Sequence, residues 1–111
     1  MRTLKSAKAF GRVFKQGRRG RASLVRVTAL PVPSEDGSVA FVCAKRLGNA
    51  VFRNRSKRVL REAARACGLP LSGYDIILFA TQKTAASHPK DVAKDLTQAL
   101  IKAQVRMDHE G

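Results

Sequence analysis

Apolar and polar positions recur along this chain with two different periods, and each change of period marks an element. Within residues 1–17, Phe10, Val13 and Phe14 recur at i, i+3 and i+4 while Lys8, Arg12 and Lys15 lie off that stripe. This is the pattern of a basic amphipathic helix. Thr3 or Ser6 suits its N-cap and Gly17 its stop, and Gly11 weakens it from within. The stretch Gly17–Arg21 is basic and glycine-containing and reads as a flexible connection. Residues 23–30 then switch to period two: Val25, Val27 and Ala29 alternate with Arg26 and Thr28, which predicts a strand. A turn cluster with two prolines and a glycine, residues 31–37, leads into a second strand over 39–45. So short a turn predicts that these two strands form an antiparallel hairpin. Val39, Phe41 and Cys43 would face the core, leaving Ala40, Val42 and Ala44 as a low-relief surface on the other side.

The period returns to helical after Gly48-Asn49. A helix is predicted over about 51–67, stopped by Gly68 and Pro70. Tyr74–Ala80 is apolar at successive positions, which suits a central strand covered on both faces. A last helix starts near Ser87 or His88 with Pro89 at its first position, and Val92, Leu96, Ala99, Leu100 and Ala103 form its buried stripe. There is no internal repeat and no composition break, so residues 1–111 read as a single domain. With 44% hydrophobic residues the chain can build a core.

Charge changes this picture from a generic small domain to a specific kind of surface. The formal net charge is +14 on 111 residues. Residues 1–66 hold 17 basic residues against three acids, Glu35, Asp36 and Glu62, and so account for the whole excess. Residues 67–111 hold five of each sign and sum to zero. Such density and asymmetry point to a polyanionic partner, nucleic acid first. No apolar run approaches the ~20 residues of a membrane span, so no membrane partner is expected. No continuous apolar export segment follows the basic start, so a cytoplasmic protein is expected. The Arg-rich start also fits an organellar transit peptide, a weaker reading because it continues the pattern of the rest.

The helix at 51–67 carries the most information. With Asn54 as origin, Arg58, Arg61 and Arg65 fall within about 40° of it, and Ser56, Val59, Leu60, Ala63 and Cys67 fall opposite. Arg53, Arg55 and Lys57 flank the basic side, and only Glu62 offsets them. A merely solvated face normally mixes signs to gain i,i+4 pairs. A row of guanidinium groups on successive turns can instead follow phosphates, each fork holding one through two hydrogen bonds.

No residue pattern argues for catalysis by the chain itself. Cys43, Cys67, His88 and His109 lack the paired spacing of a zinc site. The two cysteines stand in apolar patterns, and Cys67 reads as a small buried hydrophobe. Asp91 and Asp95 read as solvated helix residues near Lys94. No catalytic residue and no protein-bound metal or cofactor is therefore assigned.

The segment Lys45-Arg46-Leu47-Gly48-Asn49-Ala50-Val51-Phe52-Arg53-Asn54-Arg55-Ser56-Lys57-Arg58 resembles, without a gap, the signature of the bacterial ribonuclease P protein component. That signature is two basics, an aliphatic, Gly-Asn-Ala-Val, any residue, Arg-Asn-Arg, any residue, Lys-Arg. Leu4, Phe10-Gly11-Arg12-Val13-Phe14-Lys15 and Gly17 are similar to the family's first helix, and Tyr74–Leu78 to its late strand. Ala9, Ala44, Ser56 and Thr81 depart from the family's usual residues, which are an acid, a serine, an aliphatic and an arginine.

The resemblance implies an α+β fold: a single-domain αβββαβα sandwich with three or four strands and a left-handed βαβ crossover, like the second domain of ribosomal protein S5. Periodicity alone would give the usual right-handed crossover. It implies a subunit of the ribonucleoprotein that removes the 5′ leader from precursor tRNA, with catalysis and Mg2+ carried by the RNA subunit. The implied partners are ribonuclease P RNA and precursor tRNA, with no obligate protein partner. By carry-over, Lys45, Arg46, Asn49, Arg53, Asn54, Arg55, Lys57, Arg58, Arg61 and Arg65 would dock on the RNA subunit. Phe10, Arg12, Phe14, Lys15, Arg26 and Thr28 would line a cleft for the single-stranded leader, although i,i+4 phenylalanines are equally at home in a core. Two alternatives explain the charge without the motif. One is a ribosomal or other structural RNA-binding protein. The other is a DNA-binding regulator, which would need a helix, not a strand, before its recognition helix.

Overall fold

A computed structural model describes residues 3–4, 6–33 and 35–106 of the chain. The elements are α1 (Ala7–Gln16), β1 (Arg18–Arg21), β2 (Val25–Pro31), β3 (Ser38–Val42), a 3₁₀ turn (Lys45–Leu47), α2 (Ala50–Ala66), β4 (Tyr74–Ala80) and α3 (Pro89–Lys102). This is the αβββαβα order, an α+β domain built on one four-stranded sheet.

Helix α1 is shorter than the expected 1–17, and residues 1, 2 and 5 lie outside the described ones. Ser6 begins it, its Oγ accepting the Ala9 N–H at 2.9 Å, and Gly17 ends it, donating to the Val13 carbonyl at 2.8 Å. Thr3 instead bridges in parallel to Val39, at the outer edge of β3.

The sheet order is β1-β2-β4-β3. Two expectations are corrected here. The basic stretch after Gly17 is not a flexible connection but the edge strand β1, antiparallel to β2 with Arg19 opposite Thr28 and Arg21 opposite Arg26. Strands β2 and β3 are not a hairpin, because β4 lies between them, antiparallel to β2 and parallel to β3. The physical reason is the sequence of β4: Ile76, Ile77 and Leu78 are all fully buried, and only a central position covers a strand that is apolar on both faces. The 31–37 segment is tied instead to the loop before β4, where Val32 N–H donates to the Gly73 carbonyl at 2.8 Å. Strand β3 also ends at Val42, earlier than the expected 45, and the chain tightens into the 3₁₀ turn.

One face of the sheet presents Val25, Val27, Ala29, Val39, Ile76 and Leu78 to Leu60, Ala63 and Ala64 of α2 and to Val92, Leu96, Ala99 and Leu100 of α3. The small residues Ala63, Ala64 and Ala99 let the two helices approach each other and the sheet. Truncating a fully buried side chain such as Leu60 to Ala would cost roughly 2–5 kcal/mol. On the other face α1 covers Thr28 and Ile77 with Val13, which is the core residue of its apolar stripe. Among the described residues no helix is long and apolar enough to cross a membrane.

Candidate nucleic-acid interface

Two cationic surfaces lie on the two sides of the sheet. The first is the solvent face of α2. Asn49 caps this helix, its Oδ1 accepting the Phe52 N–H at 2.9 Å. Asn49 thus has a structural task at the position where an RNA contact is expected. Asn54, Arg55, Arg58, Arg61 and Arg65 are exposed, while Arg53 and Lys57 are half-buried at the edge of the row. The Arg53 Nε–H reaches back to the Asn49 carbonyl at 3.4 Å. Arg61 lies over the Phe41 ring of β3, 5.4 Å from its centroid. Opposite them Ser56, Val59, Leu60 and Ala63 are buried as expected, and Ala64 joins them. Ser56, the polar member of this face, donates its hydroxyl to the Phe52 carbonyl at 3.0 Å and so leaves no unsatisfied group. The helix ends in a Schellman arrangement: Gly68 takes φ +77°, and Leu69 and Gly68 N–H groups donate to the Ala64 and Arg65 carbonyls.

The second surface is a groove of about 570 Å³ on the α1 side of the sheet. Its cations are Arg19 and Arg21 of β1, Arg26 of β2, Arg46 of the 3₁₀ turn and Lys83 after β4. Phe14 and Phe79 supply aromatic rings, Thr28, Val42 and Ala44 contribute to the lining, and among the described residues no carboxylate lines it. Register explains the grouping. Arg19 pairs with Thr28 and Arg21 with Arg26, while Arg26 pairs with Phe79 and Phe79 with Val42. Cross-strand partners share a face, so one row reads Arg21, Arg26, Phe79, Val42 across the sheet. Two guanidinium groups directly opposite each other repel, and an anion between them removes that cost.

The aromatic arrangement is equally specific. Phe14 is 44% exposed. Phe10 stacks with it at 6.5 Å and 9° between planes, Phe79 meets it tilted at 6.1 Å, and Arg19 lies over its ring at 5.4 Å from the centroid. The groove thus joins Phe14, Arg26 and Thr28 of the expected set. Phe10 supports Phe14 from beside it, Thr28 is 2% exposed and supplies floor rather than a free hydroxyl, and Arg12 and Lys15 are exposed on α1 outside the groove. Arg46, carried over with the basic helix, lines the groove from the 3₁₀ turn that precedes α2. Arg19, Arg21, Phe79 and Lys83 escape sequence reasoning because the first two belong to the unrecognised strand, Phe79 lies in a segment read purely as core, and Lys83 stands in the turn after it.

Hydrogen bonds fix the far end of the groove. Thr81 Oγ1 donates to the Ser23 carbonyl at 3.0 Å, Thr84 Oγ1 to the Leu24 carbonyl at 2.7 Å, and Lys83 Nζ to Ser23 Oγ at 3.3 Å. Asp95, expected to be merely solvated, accepts the Leu24 N–H at 2.8 Å and ties the β1–β2 turn to α3. His88 caps α3 through the Lys90 N–H; His109 lies outside the described residues. Cys67 is half-buried with its thiol against the Ala93 carbonyl and Thr97 hydroxyl. Burial pushes its pKa up, the Thr97 contact opposing, so the unreactive thiol form prevails at neutral pH.

Cations interleaved with rings on one sheet face suit a polyanion that presents both phosphates and flat bases. The fold and these surfaces define a basic α+β nucleic-acid-binding module. Over residues 1–104 the chain matches the model of the Ribonuclease P family, and it belongs to that family. It is 35% identical over 96 residues to the ribonuclease P protein component of Dehalococcoides mccartyi, covering 86% of this chain and 79% of that one. With the component from Thermus oshimai it shares 39% over 103 residues, 93% of this chain and 65% of the relative. The solved RNase P protein of Staphylococcus aureus superposes with a TM-score of 0.78 at 25% identity, over 95% of this chain and 97% of that chain.

Proposed function

We propose that the chain is the protein subunit of ribonuclease P and serves the removal of the 5′ leader from precursor tRNA. The observation that carries this reading is the division of the charge into two surfaces on one rigid sheet. The exposed row from Arg55 to Arg65 on α2, with Lys45 and the half-buried Arg53 and Lys57, docks on the RNA subunit. There it replaces counterions along a densely charged fold. The groove holding Phe14, Arg26 and Phe79 takes the unpaired leader, whose bases need stacking surfaces and whose phosphates need cations. Arg46, on the turn that leads from the groove into α2, keeps the leader path continuous with the RNA subunit.

In this reading the protein is accessory to catalysis. The RNA subunit holds Mg2+ and hydrolyses the phosphodiester, and the protein contributes binding and orientation. The partners are ribonuclease P RNA and precursor tRNA in the cytoplasm, and no further protein is required. The test is reconstitution: the purified chain is mixed with ribonuclease P RNA and labelled precursor tRNA at low magnesium. Cleavage well above that of the RNA alone is expected. Cleavage no faster than RNA alone overturns the reading and leaves a general RNA-binding protein.

A further inference from the structure

We propose that Arg19 is the stacking platform for one unpaired leader base, with Phe14 as its backing, and is not a phosphate ligand. This rests on the reading that the groove takes the leader. Four observations support it. Arg19 is exposed, lines the groove and lies over the Phe14 ring, so its guanidinium already has an aromatic partner on one side. A guanidinium plane backed by an aromatic ring presents a flat surface on which a base can stack.

The phosphate task is already met next door. Arg21 and Arg26 face each other directly across the β1–β2 pair, an arrangement that repels unless an anion lies between. A phosphate there leaves Arg19, two residues away on the same strand face, to the attached base. That spacing is ~6.6 Å along the backbone.

The platform is also held in place. Strand β1 pairs antiparallel with β2, which puts Arg19 opposite Thr28, and the Ala22 N–H closes the β1–β2 turn on the Val25 carbonyl at 3.0 Å. On the reverse face Gly20 abuts the Ala99 carbonyl, Arg18 contacts the Gln104 side chain, and Lys102 Nζ donates to the Arg21 carbonyl at 2.9 Å. Arg19 therefore stands on a strand locked to α3, as preorganised recognition requires. A lysine would serve a phosphate as a point charge, whereas only arginine offers the planar surface.

The experiment uses the reconstituted holoenzyme with wild-type, Arg19→Lys and Arg21→Lys proteins. Affinity is measured for mature tRNA, for precursor tRNA, and for precursors carrying a single abasic nucleotide at successive leader positions, over a range of KCl. For wild type one abasic position is expected to weaken binding roughly tenfold. Arg19→Lys should weaken the intact precursor by about the same factor, lose its response to that abasic position, and keep the wild-type salt slope. Arg21→Lys keeps a point charge for the phosphate and loses no stacking surface, so it should retain the wild-type abasic penalty. Unaltered abasic sensitivity in Arg19→Lys, or equal behaviour of the two lysine variants, overturns the stacking role while leaving the leader groove intact. Equal wild-type affinity for precursor and mature tRNA removes the leader groove, and the stacking role with it.

Discussion

Gly20 of β1 lies against the backbone of α3 so closely that a Cβ on it would stand 1.9 Å from the Ala99 carbonyl oxygen. The edge strand is thereby pinned to a helix that belongs to the neutral part of the chain, and the pinning decides which way its arginines point. With Gly20 and Arg18 turned to α3, Arg19 and Arg21 must face the groove. Gly20→Ala is expected to destabilise the protein by about 3 kcal/mol, since the clash is with main chain that cannot swing aside. Urea unfolding of the isolated protein checks this; a change below about 0.5 kcal/mol, the range of a neutral surface substitution, would show that β1 is not pinned there.

Gly68 is the contrasting case. It takes φ +77° at the end of α2 and has open space where a Cβ would stand. Gly68→Ala should cost only about 1 kcal/mol, the penalty of a left-handed backbone for an L residue. The same unfolding measurement, run beside Gly20→Ala, separates a conformational cost from a steric one.

Arg55 is exposed on the basic face of α2. Arg55→Ala should leave thermal stability unchanged and reduce the slope of log affinity for ribonuclease P RNA against log salt by about 1. Phe41→Leu, which removes the ring beneath Arg61, should weaken the same affinity by a smaller factor through a looser guanidinium. Filter binding at several salt concentrations reads both, and an unchanged slope for Arg55→Ala would exclude it from the docking surface.

Cys67 gives a pH dependence with a definite sign. Burial raises its folded-state pKa above the ordinary 9.0, with the Thr97 hydroxyl acting the other way. Between those values the folded chain keeps a proton that the unfolded chain has lost, so stability falls as pH rises. The contribution is fully present below pH 9.0 and is lost as pH climbs through the raised value. Unfolding free energies of wild type and Cys67→Ala, measured from pH 7 to 11, should keep a constant difference at first. Above pH 9.0 that difference should shift against wild type.

The parts of the fold that were legible are those whose side chains state their own environment. Helices α2 and α3 carry one apolar stripe each, and β4 is apolar on both faces, so the burial of Leu60, Leu96 and Ile77 follows from spacing alone. Strand β1 is written in three arginines and a glycine, and its strand character comes from main-chain pairing with β2 and from close contact with Ala99. Both are tertiary facts without a local pattern. Strand order was hidden for the same reason: a short turn between β2 and β3 favours a hairpin locally, yet covering both faces of β4 decides the pairing. The candidate site divides along the same line. The α2 row could be read from periodicity and motif and Phe14 and Arg26 from the family resemblance, whereas Arg19, Arg21 and Phe79 reach the groove only through that pairing and Lys83 through the turn that follows β4.

The central claim is that the two cationic surfaces hold two different RNAs. It is tested most directly by measuring, for Arg55→Ala and Phe14→Leu, both the affinity of the protein for ribonuclease P RNA and the affinity of the assembled holoenzyme for precursor relative to mature tRNA. The account predicts that Arg55→Ala lowers the first and spares the second, and that Phe14→Leu does the reverse. If both variants lower both affinities by similar factors, the α2 face and the groove form one continuous binding surface and the division of labour is wrong.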